Sequence, residues 1–279
     1  YRFVISRSVD VVMTVDCEIY PRRELDHVGV APFSSMFFFG PADATWHDDF
    51  RPRVHDSDGL LLHTGEGEWI WRPLVTASNI LYSMFSDRSP KGFGLVQRQR
   101  SFEYYQDINA SYERRPSAWV EPLSDWGYGS VDLVEIPTGT EYTDNIVAFW
   151  RPREALNPQQ GYSFSYRLTW CWHLPQARNI AQVVMTRTGA GLPEKSRYFV
   201  IDFAGGELYS EADIEHWDYE VGASSGRIAV YTVGPNSFID GKRVALEFHP
   251  DGGKPADLSF QIRRFGKAMT EKWVYRWVQ

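Results

Sequence analysis

Aromatic, arginine and carboxylate side chains are densest between Lys91 and Trp150. The rings of Phe102, Tyr104, Tyr105, Tyr112, Trp119, Trp126 and Tyr128 are interleaved there with Asp107, Glu113, Arg114, Arg115, Asp125, Glu135, Glu141 and Asp144. Flat rings beside hydrogen-bonding groups suit a sugar, which has an apolar face edged with hydroxyls. The same mixture occurs in β-sandwich cores and interfaces, so composition alone leaves both readings open. Upstream, Trp69 and Trp71 share one face of a period-two segment, with Glu68, Ile70 and Arg72 on the other. That pair of rings either packs between two sheets or forms a sugar platform.

Other chemistries find less support. His55-Asp56-Ser57-Asp58-Gly59 opens like a calcium loop, but no acidic residue follows until Glu66 and Leu60-Leu61-Leu62 intervene. The plainer reading is an Asx-turn closed by Asp56 or Asp58. The histidines are scattered without zinc-ligand spacing. Gly92-Phe93-Gly94 lacks the following glycine and helix of a phosphate loop, and no Gly-x-Ser-x-Gly elbow occurs. What remains is loop carboxylates beside rings and arginines, the parts of a glycoside hydrolase, which holds one carboxyl protonated and another ionised. No metal and no cofactor is expected.

The elements that must position these groups are strands. Short β-branched and aromatic runs with Gly/Pro-marked turns recur along all 279 residues, and no sustained helical period appears; Ser101–Arg115 is the one candidate for a short helix or compact loop. The expected class is all-β, built as a large sandwich followed by an immunoglobulin-like sandwich. The Pro- and polar-rich stretch Arg151–Gly161 is the linker candidate, dividing the chain into 1–155 and 156–279. Pro175–Pro193 reads as a long excursion between the first two strands of the second unit. A segment from Trp172 to Pro193 is too long for a simple turn and is expected to border the cleft, in a homodimer that of a neighbouring protomer. The formal charge of −7 argues against nucleic acid or an anionic membrane as main partner, and no apolar run approaches the roughly 20 residues of a membrane span. Cys17 and Cys171 suit one long-loop disulfide or two buried thiols equally. The chain opens on Tyr1 in strand-like sequence, which reads as an interior cut or a processed end.

Several long strings, FGPADATWHDDFRPRVHDSDGL, GEGEWIWRPL, PKGFGLVQRQRSFEYYQDI, YERRPSAWVEPLSDWGYGSVDLVEIPTGTEYTDNIVAFWRP and EKWVYRW, occur in order and closely resemble the osmoregulated periplasmic glucan biosynthesis proteins OpgG and OpgD (MdoG and MdoD). The second half is nearer the OpgD branch. The resemblance implies a galactose-mutarotase-like β-sandwich followed by an immunoglobulin-like domain. Family members carry about as many residues again ahead of the point where Tyr1 falls, a signal peptide included, so the first sandwich is expected to be incomplete with exposed edge strands. It further implies a periplasmic protein acting on β-1,2-glucan as an inverting endo-glucanase or transglycosylase; the alternative is a non-catalytic glucan-binding or assembly protein. The catalytic pair carries over to Asp56 in HDSDGL and Asp144 in TDNIVAFW, which inversion requires to stand roughly 6.5–9.5 Å apart. Tyr112, Arg115 and Glu141 are candidates for ordering water or sugar hydroxyls. Trp69, Trp71, Tyr104, Tyr105 and Trp126 are candidate platforms, with Arg72 a further substrate contact.

Overall fold

Leu60-Leu61-Leu62 lies at the centre of the fold, and all three side chains are buried. Leu60 and Leu62 enter one apolar core while Leu61 enters another. A strand covered on both faces needs no polar alternation, which is why this run is continuous. Neighbouring strands divide in the same way, with Trp119 on the side of Leu61 and Val120 on the side of Leu60. The computed structural model describes residues 1–43, 47–176, 178–192, 195–208 and 216–278.

Among these residues the protein is all-β. A long sheet runs in spatial order Arg2–Arg7, Val11–Ile19, Tyr162–Cys171, Ser117–Pro122, Gly92–Val96, Gly59–His63, Trp69–Pro73, Lys272–Trp277, Ala256–Arg264 and Trp217–Ala223. A four-stranded sheet, Val30–Ser35, Ile146–Pro152, Tyr128–Glu135 and Leu81–Arg88, closes the first core through Val131, Leu133, Ile146 and Trp150. A second, Gln182–Ala190, Arg197–Ala204, Gly241–His249 and Arg227–Asn236, closes the other through Phe199, Ile201, Val244 and Leu246. Phe37–Phe39 and Val54–His55 form a small separate ladder. No helix among the described residues is long and apolar enough to cross a membrane.

Gly92 and Gly94 serve packing rather than phosphate binding. A Cβ on Gly94 would stand 2.2 Å from the Ala118 carbonyl, and one on Gly92 2.3 Å from the Trp119 ring. Only bare backbone lets that indole lie against the neighbouring strand.

Strand pairing crosses the expected 1–155/156–279 boundary. Tyr162–Cys171, placed beyond it, pairs with Val11–Ile19 on one side and Ser117–Pro122 on the other. Lys272–Trp277, from the end of the chain, pairs in parallel with Trp69–Pro73. One sheet therefore crosses the division, and Arg151–Gly161 is a connection between facing sheets. Prolines and polar residues mark either kind of link, so composition did not separate them.

The Pro175–Pro193 excursion contains the strand Gln182–Ala190, paired with Arg197–Ala204. A bulge between Val183 and Met185 shifts its alternation and hid it from a period-two reading. Pro193 lies outside the described residues. Ser101–Arg115 is a compact loop with two single 3₁₀ turns, Phe102–Tyr104 and Tyr112–Arg114. Arg2–Arg7, at one edge of the long sheet, is exposed along its length. Cys17 and Cys171 are buried free thiols.

Candidate functional site

Asp56 and Asp144 are brought together by one short segment. The Asp56 amide donates to the Met36 carbonyl at 2.8 Å. The side chain of Asn145, next to Asp144, accepts from the Phe37 amide at 2.8 Å and donates to the Phe37 and Ile136 carbonyls at 2.9 Å each. Both aspartates are thus one or two bonds from Met36–Phe37, although they lie far apart in sequence. Ser34, on the same segment, donates its hydroxyl to Asp144 Oδ2 at 2.8 Å.

Burial pushes the Asp56 carboxyl above its ordinary pKa; the Arg115 guanidinium opposes this and the Asp144 charge adds to it. Arg115 Nε stands 3.2 Å from Asp56 Oδ1, an ion-pair contact without hydrogen-bond alignment, and that buried oxygen has no hydrogen-bond partner. A carboxyl raised by burial with an unmatched oxygen is suited to exchanging a proton with a ligand.

Three loops are clamped around this pair by Arg51, whose guanidinium reaches Asp49 at 2.8 Å, Asp107 at 2.8 Å and Glu141 at 2.6 Å. Glu141 is therefore bound to an arginine, at the wall of the site. Tyr112 is buried under Arg115, whose guanidinium carbon is 5.7 Å from the ring centre. Burial raises the Tyr112 phenol most, followed by the charge of Glu141, with Asp56 also contributing, so its hydroxyl feels the same carboxylates.

Beneath the pair lies a second cluster. Asp58 does not close a local Asx-turn. Its carboxylate accepts the backbone amides of Arg98 at 2.5 Å and Gln99 at 3.1 Å, forty residues along the chain, and stands 3.4 Å from Arg53 and from His55. Burial pushes Asp58 upward, but His55, Arg53 and the two amides together hold it below the usual carboxylate range. The excursion closes the other side of this cluster. Val183 and Val184 carbonyls accept from the side chains of Arg98 and Gln99, and the Trp172 carbonyl accepts from Arg100, which also holds the Arg115 carbonyl.

The aromatic platform candidates separate sharply. Tyr104 is 38% exposed at the rim, with Arg53 4.9 Å from its ring centre. The other four are core residues. Trp71 is buried with the Arg98 guanidinium 3.4 Å over its ring, and Trp69 is stacked on His63 and flanked by Trp119 and Arg178. Tyr105 is fully buried and donates to the Gln99 carbonyl at 3.2 Å, and Trp126 packs edge-on against Phe164 and Tyr166. Arg72 is buried too, paired with Glu135 at 2.8 Å. Ring faces covered by protein have no area left for a sugar, so these five do not act as direct contacts in this arrangement.

Over residues 1–277 the chain matches the family described as periplasmic glucan biosynthesis protein, MdoG. The chain belongs to this family. It is 44% identical to the probable glucans biosynthesis protein D of Shewanella oneidensis, over 99% of this chain and 53% of that protein. Identity is 43% to glucans biosynthesis protein D of Stenotrophomonas maltophilia and 42% to that of Xanthomonas campestris, each over 99% of this chain and 53% and 54% of the relative. The chain spans about half the length of the curated relatives it matches.

Within this family member, Ser34, Arg51, Arg53 and Asn145 were not picked out from sequence. The spacing of Arg51 and Arg53 ahead of HDSD, and the amide directly after Asp144, are signals that could have found three of them. Ser34 carries no such signal, because its partner Asp144 lies just ahead of Ile146–Pro152, a strand that meets Val30–Ser35 only in the folded sheet.

Proposed function

We propose that this chain carries the acid–base pair of a periplasmic glycoside hydrolase acting on β-1,2-glucan. Asp56 and Asp144 flank the bond to be cut, in an inverting endo-acting or transglycosylating reaction. The observation that supports this reading is the anchoring of Asp56 and of the residue after Asp144 to the same Met36–Phe37 segment, with the Asp144 charge raising Asp56. One carboxyl gives its proton to the glycosidic oxygen as that bond to the anomeric carbon breaks. The other takes a proton from the water, or from an acceptor sugar hydroxyl, that forms the new bond. Arg115 and Ser34 orient the two carboxyls, Tyr104 offers a ring at the rim, and Arg51 keeps the loop walls in place.

The test is incubation of the protein with linear β-1,2-glucan, following oligosaccharide size. Asp56→Asn and Asp144→Asn should each lower turnover by orders of magnitude with glucan binding nearly unchanged, since each keeps shape and loses the titrating group. Asp144→Asn should also move the Asp56 titration, followed by carboxyl NMR, to lower pH, because it removes a like charge. Binding without cleavage by the unmodified protein would instead favour a non-catalytic glucan-binding or assembly role.

A further inference from the structure

A cavity whose lining includes neither Asp56 nor Asp144 brings together residues from both halves of the chain. Its volume is about 1030 Å³, and it is lined from the first half of the chain by Asp43 and Val75–Ser78 and from the second by Thr188, Lys195, Arg197 and Tyr275–Val278. Cavities between packed units and of this size commonly hold small ligands.

The charges on its wall are unevenly matched. Arg276 is paired with Asp257 at 2.7 Å. Arg197, by contrast, makes one long hydrogen bond, Nη2 to Thr188 Oγ1 at 3.4 Å, and no ion pair joins it or Lys195 to a carboxylate among the described residues. Thr188 is itself anchored, donating to the Ala42 carbonyl at 2.7 Å, so the wall around Arg197 is fixed. The acidic group nearby is Asp43, 6% exposed, with Oδ2 lacking any hydrogen-bond partner. A half-buried Arg197 and an exposed Lys195 without anions, beside hydroxyls and an unsatisfied carboxyl, make a site that lacks a negatively charged occupant.

We propose that this cavity binds a small organic oxyanion, its charged group held by Arg197 and Lys195 and its body resting among the Thr76, Ser78 and Thr188 hydroxyls. Asp43 adds a pH dependence. Burial raises its carboxyl to about 7, with Glu135 adding and the Thr76 and Gly40 backbone and Arg72 opposing; Tyr275 is the other titrating group beside it. Below that pH a protonated Asp43 can donate to an anion, and above it a second negative charge repels one. Affinity therefore falls as pH rises through about 7.

Titration calorimetry with sulfate, D-glucuronate and D-glucose tests this, since neither anion changes charge between pH 6 and 8. Both anions should bind saturably at pH 6 and roughly tenfold more weakly at pH 8, and glucose should not bind. Arg197→Gln, and separately the exposed Lys195→Gln, should weaken binding about tenfold or more; Asp43→Asn should abolish the pH dependence. Tighter binding of glucuronate than sulfate assigns the site to a sugar acid, and equal binding to a free oxyanion. No saturable binding of either anion at pH 6, or binding unchanged in both cation variants, would overturn the proposal. Such a failure leaves the Asp56–Asp144 reading intact, because β-1,2-glucan cleavage is measured separately.

Discussion

Asp43 and Asp58 each follow one strand of the small Phe37–Phe39/Val54–His55 ladder and line the same small pocket, and both are largely enclosed. Their protonation is opposite. Asp58 meets Arg53, His55 and two backbone amides and stays below the ordinary carboxylate range. Asp43 meets mainly desolvation and keeps one oxygen unpartnered, so it is pushed up to about 7. Burial therefore does not decide whether a carboxyl is charged; the donors that burial brings with it do. The Asp58 cluster builds rigidity under the candidate catalytic loop, while Asp43 leaves a proton-sensitive group at the edge of a cavity.

The comparison can be broken most forcefully at Asp58. Asp58→Ala strands the Arg53 guanidinium and the Arg98 and Gln99 amides, and should cost about 3–5 kcal/mol in urea unfolding at pH 7. A loss within experimental error would show that the cluster is not structural.

Acid should reach the same cluster next. Burial first, with Arg53 adding and Asp58 opposing, lowers His55 from 6.5 to about 4. The unfolded chain therefore takes up this proton before the folded one does. Stability present above about 6.5 should be lost as pH falls towards 4, by up to about 3 kcal/mol, with the Asp58 contribution following as pH falls through its own depressed pKa. Unfolding curves at pH 7, 5.5 and 4.5 check this, and His55→Leu should flatten the first part of the loss.

Asp43 should show the opposite sign. Its raised folded pKa gives stability that is complete below the unfolded value of 3.8 and lost as pH rises through about 7. Asp43→Asn should therefore be more stabilising at pH 8 than at pH 5, by about 2–3 kcal/mol, read from the same denaturation series. Equal effects at both pH values would mean that Asp43 is ionised throughout, like Asp58.

Much of the fold was legible because period-two patterning and turn residues are local. The all-β class and most strands follow from them, and Leu60-Leu61-Leu62 announces a strand covered on both faces. Gln182–Ala190 was not legible, since its bulge moves the alternation by one residue. The path of Tyr162–Cys171 into the first-half sheet was equally hidden, because a strand's own pattern does not name its partner. At the site, the pairing of Asp56 with Asp144 came through family resemblance, whereas the anchors Asn145 and Ser34 depend on contacts between remote strands. The aromatic signal misled at Trp69, Trp71, Tyr105 and Trp126, since a ring suited to stacking on sugar is equally suited to a core.

By itself, then, the amino-acid order determined which segments extend, where they turn and which family the chain resembles, because these properties reside in neighbouring residues and in long ordered strings. Only the tertiary structure decided which rings remain open to a ligand, which carboxyls are neutralised by donors and which keep an unmatched oxygen. Exposure and pKa are set by whatever folds back against a side chain: Thr76 and Glu135 for Asp43, Arg115 and Asp144 for Asp56, and the Arg98 and Gln99 amides, beside the local Arg53 and His55, for Asp58.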